Sequence, residues 1–466
     1  MSRGRLVVHA HFYQPSRTDP FSGQVPADPS ASPAHDWTAR VSADCYRSNA
    51  EAGNLAHISW NIGPTLAGWM YDGDPIAYRG FVAGDLGVNG MAQPFHHAIL
   101  PLASTADRET EIVWGLRDFE HRFGRTSAGM WLPETAVDLA TLRLLDRHGV
   151  RHTILAPWQV VGHHDETRRP YRVELGGGRS IAVALYDAGL SSAISFEPGA
   201  TGDADQFMHD RVAPRAAEPL SDGESPLLLI ATDGELYGHH QVFRELFLQR
   251  LIQPREDGSE SAVALVPLVQ ALQETRGRPF RTVRLVERTS WSCHHGVLRW
   301  SGECPCTDGG TWKAPLRSAF ERLAAGIDAL TERVAADLPG APDPWAARND
   351  YVAVVIEAES GPAFADRWLG GTTSPAEGTT FLALMEVQRW RLAMFASDAW
   401  FWEEPVRTET MSALRAAAWA ARRMDGLAGS TLERRLLADL ATFTSPAHGI
   451  DGAEIYRRAL ADVGQV

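Results

Sequence analysis

Short apolar runs, each followed by a stretch of helical spacing, recur from Leu6 to Val286, and this rhythm constrains the fold more than any other feature. The runs at 6–10, 58–62, 81–84, 128–132, 153–155, 181–186, 227–232 and 283–286 are strand candidates. Continuous apolar runs of this length are what strands buried on both faces look like. Between them, 109–123 carries Ile112, Val113, Leu116 and Phe119 at helical spacing, and 141–148 closes on Gly149, a helix-ending residue. Roughly seven or eight such units predict an α/β barrel rather than an open doubly wound sheet. No glycine-rich nucleotide fingerprint follows the first strand, and Gly176-Gly177-Gly178 reads as a hairpin turn. The segments 16–35 and 198–222 read as long barrel loops. From residue 307 the texture becomes Ala-, Leu- and Arg-rich at helical period, over 315–334, 346–357, 379–401, 408–424 and 430–442. The division expected is therefore a barrel over 1–306 and an all-helical domain over 307–466 that covers the barrel mouth.

Two acidic motifs stand just past strand candidates: Trp131-Leu132-Pro133-Glu134, and Asp233-Gly234-Glu235 after the run 227–232. Carboxylates at the C-terminal ends of parallel strands face one mouth of a barrel, where such folds keep their chemistry. Two carboxyls facing across a sugar are the minimum equipment for glycoside cleavage. Asp233 and Glu235 share a face of an extended segment, and the proximity of like charges raises one pKa, as a general acid needs. Two plainer readings stand beside these: Glu134 as an exposed loop glutamate, and Asp233 as the cap of a following helix.

Composition narrows the partners. The formal charge of −14 gives nothing to counterion release on nucleic acid and disfavours anionic membrane surfaces. Neither a signal peptide nor a spanning helix is read in the sequence, so a cytoplasmic location is expected. Four cysteines in 466 residues make no disulfide framework. The chain also holds 15 Trp, whose flat indoles suit sugar faces as well as protein cores.

His9 and His11 share a face at the end of the first strand, the first half of a metal site in metal-dependent barrel hydrolases. Gln14 follows, and an amide suits hydroxyl recognition better than metal ligation, so sugar binding is the favoured reading. By residue type the strongest metal candidates are Cys293, His294, Cys304 and Cys306. Their spacing matches no common zinc pattern, so reduced thiols in a loop are expected, with no cofactor.

Together these motifs resemble glycoside hydrolase family 57, whose members are retaining α-glucan enzymes. His9-Ala10-His11-Phe12-Tyr13-Gln14-Pro15 is similar to the family's first motif, with Phe12 and Tyr13 separating the histidine from Gln14. The string from Gln93 through His97 to Leu102 is similar to the second, without the acidic residue that often precedes it. Trp131 to Glu134 matches the third, which implies that Glu134 is the nucleophile. Asp233-Gly234-Glu235 matches the fourth, which implies an acid/base role for Asp233 and sugar binding for Glu235. Ser397-Asp398-Ala399-Trp400 resembles the fifth, with Ala399 as an extra residue, and implies substrate contacts at Asp398 and Trp400. The stretch from Trp291 to Trp300 resembles a loop lining the glucan site. The resemblance runs from His9 to Trp402 and is strongest to a branch with an uncharacterised helical second half. The fold implied is an incomplete (β/α)7 barrel followed by helices. The activity implied is α-amylase, 4-α-glucanotransferase or branching chemistry on an α-glucan or maltooligosaccharide. The competing expectations are a metal-dependent hydrolase or deacetylase built on His9 and His11, and a non-catalytic glucan-binding protein.

Overall fold

Residues Gly4–Phe12 form a nine-residue strand, β1, in a computed structural model that describes residues 4–162, 166–253, 263–274, 280–371 and 374–461. The chain divides into two units. The first comprises Met1–Gln14, Ala27–Pro94 and Arg122–Trp291; the second comprises Pro15–Pro26, Phe95–His121 and Ser292–Val466.

In the first unit, nine further strands follow β1: β2 (Ser59–Ile62), β3 (Gly90–Met91), β4 (His152–Leu155), β5 (Val160–Val161), β6 (Pro170–Gly176), β7 (Arg179–Leu185), β8 (Leu227–Asp233), β9 (Val263–Leu265) and β10 (Arg281–Leu285). β1 lies between β2 and β8 with all pairings parallel, and β3 continues the sheet beyond β2. Bridges from Ala92 to Met130 and from Gly129 to His152 carry it through the 129–130 segment to β4, which pairs with β7. Asp187 N–H then donates to Leu229 O at 2.7 Å, joining the end of β7 to β8. That circuit is the expected (β/α)7 barrel. Outside it, β6 returns antiparallel to β7 through the Gly176–Gly178 turn, and β10 and β5 extend the flank. β9 pairs with the start of β1.

The period of two along each strand decides which side chains enter the barrel. Leu6, Val8, Ala10 and Phe12 pack outward with Trp60, Phe81, Leu228 and Ile230 in one core cluster. Val7 packs inward with Trp131, Ile154, Ala184, Leu229 and Ala231 in another. The same inward parity takes His9 and His11 on β1, Ser59 and Asn61 on β2, and Asp233 on β8. Register adds the height: His11 pairs with Asn61 on one side and with Asp233 on the other.

One strand expectation fails. Residues 81–84 close the helix Pro75–Gly84, whose N-cap Asp74 accepts from Ala77 N–H and whose Pro75 occupies the first turn. Its buried residues, Ala77, Phe81 and Gly84, repeat at helical intervals, so Phe81 reaches the core from a helix. The third strand is the short β3 instead. The 198–222 loop likewise contains helical turns from Ala204 to Ala217.

The second unit is built on helices Lys313–Ala336, Pro344–Asp350, Gly361–Leu369, Pro375–Ala393, Thr408–Ala428, Leu432–Leu440 and Gly452–Ala461, with most of Thr105–Phe123. Ala413, Ala416, Ala417, Ala420 and Ala421 are buried on Thr408–Ala428, and such small side chains let Pro375–Ala393 approach closely. Inside this unit Asp107 sits between Arg348 Nη1 at 2.9 Å and Arg391 Nη1 at 2.6 Å, and Arg391 also reaches Asp328 at 2.6 Å. Among the described residues no helix is long and apolar enough to cross a membrane.

Candidate active site

The top inward layer of the barrel gathers His9, His11, Asn61, Glu134, Asp233 and Glu235. Asn61 organises the histidines. Its Oδ1 lies 3.1 Å from His9 Nε2, while its Nδ2 donates to His11 Nδ1 at 2.8 Å and to Gln93 Oε1 at 2.5 Å. An amide oxygen only accepts and an amide nitrogen only donates, so both imidazoles carry their proton on Nε2. Burial first holds His9 and His11 down to about 3; His152 adds to this at His9, and His9 adds to it at His11. Both rings are neutral at physiological pH. The Trp131 indole stacks on the two, 5.1 Å from His9 and 4.9 Å from His11, and is itself wholly buried. It therefore supports the histidines from within and presents no face to solvent.

Glu134 occupies a left-handed backbone conformation, with φ 57° and ψ 20°, and Thr135 follows at φ 47°. Left-handed conformations cost a non-glycine residue about 1–2 kcal/mol. Gln159 holds the pair there: Thr135 Oγ1 donates to Gln159 Oε1 at 2.8 Å, and Gln159 Nε2 donates to Thr135 O at 2.8 Å. Trp291 fixes the glutamate itself, through its backbone N–H to Glu134 O at 3.0 Å and its indole Nε1–H to Glu134 Oε2 at 3.1 Å. One carboxylate oxygen is thus anchored. The half-buried side chain is an aimed group, which disposes of the loose-loop reading.

Asp233 ends β8. The cap reading fails, because the carboxyl accepts nothing from the helical turn Gly234–Leu236 that follows. Loss of hydration and then the Glu134 charge push Asp233 up to about 7. Water still reaches this side chain, so the Glu134 charge is the firmer cause. The Asp233–Glu134 coupling brings together the two carboxyls that sequence motifs far apart had suggested.

Glu235 is buried. Its Oε1 accepts from Tyr46 O–H at 2.6 Å and from Tyr13 N–H at 3.1 Å. Burial and then the Asp233 charge push it up to about 8 despite those two donors. Gln14 is half-buried and hydrogen-bonds Tyr46, so it joins the same chain of groups. The middle residue of the motif must be glycine: a Cβ on Gly234 would stand 2.3 Å from the Phe12 ring.

Three contributors had no sequence signal strong enough to single them out. Asn61 was legible only as an inward position of β2. Tyr46 lies on a helical segment, Ser42–Tyr46, that carries no motif, and Gln159 acts on Glu134 through Thr135 rather than directly.

The remaining expected residues belong to the second unit. His97, at φ 58°, places Nδ1 2.7 Å from Ser397 Oγ and accepts Ser397 N–H on its carbonyl at 3.1 Å. The second and fifth motifs therefore meet within this unit, beside half-buried Asp398. Trp400 and Trp300 are wholly enclosed. Trp400 donates to Lys313 O at 3.3 Å and stacks on Phe395, so it packs a core rather than offering a face to a sugar. Trp300 has the same limitation.

Among the described residues, one group of His, Cys, Asp or Glu has the closeness of a metal site, and it is Cys293, His295, Cys304 and Cys306. His9 and His11 join no such group. His295 stands where His294 was expected. A turn closed by Gly296 N–H on Cys293 O, with Gly296 at φ 71°, presents His295 Nδ1 to the sulfurs of Cys306 and Cys304.

Comparison with known proteins places these features. Residues 87–283 match glycosyl hydrolase family 57, and residues 310–463 match a domain of unknown function, DUF3536. An exo-type maltose-forming amylase from a Pyrococcus species superposes with a TM-score of 0.75 at 14% identity, covering 98% of this chain and 88% of the amylase. A branching enzyme from Pyrococcus horikoshii does so with a TM-score of 0.61 at 15% identity, over 99% and 94%. A 4-α-glucanotransferase from Thermococcus litoralis gives 0.55 at 16% identity, over 89% of this chain and 60% of the transferase. None of the curated proteins compared with the chain matches it in sequence.

Proposed function

We propose that this chain, whose residues 87–283 match glycosyl hydrolase family 57, is a retaining α-glucan enzyme with Glu134 as nucleophile and Asp233 as acid/base. The observation that carries this reading is the coupling of the two carboxyls: a glutamate anchored by Trp291, and beside it an aspartate whose proton is retained up to about 7. In the first step Asp233 gives its proton to the glycosidic oxygen while Glu134 attacks the anomeric carbon, so that the C–O bond to the leaving sugar breaks as the glycosyl–enzyme ester forms. In the second, Asp233 takes a proton from water or from a sugar hydroxyl as that oxygen displaces Glu134. Water as acceptor gives hydrolysis; a sugar hydroxyl gives transfer or branching.

The surrounding groups fit sugar recognition. A protonated Glu235 keeps Oε1 as acceptor for Tyr46 and Tyr13 and has an O–H to donate. The neutral His9 and His11 have tautomers fixed by Asn61; His9 is wholly buried with its Nε2–H given to Asn61 and supports the site, while His11 is the one placed to meet a hydroxyl. Retaining chemistry sets the two reacting carboxyls about 5–5.5 Å apart.

The test is incubation with maltooligosaccharides and amylose, with the anomer formed first read by proton NMR and the linkages by methylation analysis. Initial release of the α-anomer is expected. A β-anomer formed first, or no action on any α-glucan by folded protein, sinks the proposal.

A further inference from the structure

The described residues contain a second cluster of reactive side chains, which the glucan chemistry does not use. Cys293 Sγ lies 3.3 Å from Cys304 Sγ and 3.8 Å from Cys306 Sγ. His295 Nδ1 lies 3.2 Å from Cys306 Sγ and 3.6 Å from Cys304 Sγ. All four ligand atoms fall within 4.8 Å of one another. A tetrahedral zinc with Zn–S near 2.3 Å and Zn–N near 2.0–2.1 Å has edges of about 3.8 Å between sulfurs and about 3.6 Å between sulfur and nitrogen. The observed separations cluster around those edges. They are too long for a disulfide, whose sulfurs stand about 2.05 Å apart.

We propose that Cys293, His295, Cys304 and Cys306 bind one zinc ion as a closed structural site. Three thiolates and one imidazole form a recognised structural donor set, and their softness selects zinc over magnesium or calcium. Four protein ligands leave no position for water, so the ion is structural and takes no part in glycosyl transfer. The spacing explains why the pattern escapes motif reading. Each arm is a ligand–x–ligand pair, Cys293-His294-His295 and Cys304-Pro305-Cys306, whereas common zinc knuckles separate their cysteines by two to four residues.

Charge and folding support the assignment. Zinc with three thiolates carries net −1, and the Lys313 ammonium, fully buried, lies close enough to interact with both Cys304 and Cys293. Cys293 and Cys304 are buried, while His295 and Cys306 are exposed, so the ion would tie a solvent-side pair to a core-side pair. Between the two arms runs the Gly296–Glu303 loop, which has only one short helical turn, Leu298–Trp300. Metal would fix that loop directly after Trp291 in the sequence.

The test is elemental analysis of full-length protein purified in reducing buffer without added metal, followed by cobalt substitution. About one zinc per chain is expected, and after chelation cobalt should give the thiolate charge-transfer and intense visible bands of a tetrahedral site. Cys306→Ser and His295→Gln alter the two exposed ligands, so they should keep native far-UV dichroism while losing zinc at least tenfold. His294→Gln should retain the ion. Folded wild-type protein with under a tenth of an equivalent of zinc overturns the proposal, as does a Cys293–Cys304 disulfide by mass spectrometry or equal zinc loss in the His294 and His295 variants. Metal content is read without any glycan assay, so this result stands or falls apart from the catalytic reading.

Discussion

Two acidic regions of this molecule use the same residue type in opposite ways. In the second unit Asp107 is flanked by Arg348 and Arg391, and although burial opposes ionisation, the two guanidinium charges hold its carboxyl below the usual range. In the first unit Asp233 has no cation among the described residues to neutralise it, and loss of hydration and then the neighbouring Glu134 charge hold its carboxyl above the usual range. Proteins neutralise buried charge where only stability is at stake. Unneutralised acids set side by side raise the free energy of the fold and are kept where a proton must be held and released near neutral pH. On the proposed reading, the contrast separates structural from chemical carboxylates within one chain.

The sharpest way to break the comparison is to remove the chemical carboxyls. Glu134→Gln should lower turnover of maltooligosaccharides by at least about a thousandfold with unchanged far-UV dichroism, because in the proposed mechanism Glu134 is the group that forms the ester. Asp233→Asn should lower it about 10²–10⁴-fold on natural glucans. Aryl or fluoride glycosides, whose leaving groups need no proton, should recover most of the first step in the Asp233 variant but none in the Glu134 variant. Equal recovery in both would erase the division of roles.

The structural pair should respond in stability instead. Arg391→Met strands Asp107 and Asp328 with fewer cationic partners and should cost about 3–5 kcal/mol, read by chemical denaturation. Replacing Asp107, Arg348 and Arg391 together with apolar residues of similar volume should recover much of that loss. A single variant as stable as wild type would mean that the charges in the second unit are already well solvated, and the comparison would lose one side.

Parity explains what the sequence made legible. A period of two put His9, His11 and Asp233 on one face of their strands, and the barrel then needed only register to bring them to one height. Residues 81–84 look like a strand in the sequence because the last turn of the helix Pro75–Gly84 is a short apolar run, and periodicity cannot type so short a run without its cap. Tyr46 and Gln159 were beyond sequence reading for another reason: each acts across the fold, 189 residues from Glu235 in the first case and 24 residues from Thr135 in the second. The cysteine cluster lay between. Its residue types were visible, but the choice of His295 over His294 depends on a turn whose geometry the sequence does not fix.

Proton linkage sharpens the same comparison. Asp107, with a lowered pKa, contributes stability that is present above its unfolded value and lost as pH falls through its folded value. Asp233 and Glu235, with raised values, favour the fold below the ordinary carboxylate range and lose that contribution as pH rises through about 7 and about 8. Glu235→Gln, which cannot ionise, should therefore gain on wild type by of order 2 kcal/mol between pH 5 and pH 9. In activity, kcat/KM should fall on the alkaline side as Asp233 loses its proton near 7. In Glu134→Gln the neighbouring charge is gone, so Asp233 should titrate lower by carbon NMR; an unchanged value would assign the shift to burial alone.

The smallest expected effect tests the link between Glu235 and its holder. Tyr46→Phe deletes the O–H that donates to Glu235 Oε1 at 2.6 Å while keeping the ring that packs edge-on against Phe12 at 5.8 Å. Losing one such hydrogen bond costs about 1 kcal/mol, or more if the oxygen is left with fewer donors. The Glu235 pKa should rise further, because a donor favouring the charged form is gone. If Glu235 binds a sugar hydroxyl in the ground state and the transition state alike, the loss should appear in KM with kcat nearly unchanged. A fall in kcat with KM unmoved would instead tie Glu235 to the proton inventory of Asp233, making the acidic region of the first unit a coupled triad of carboxyls rather than a reacting pair with a binding neighbour.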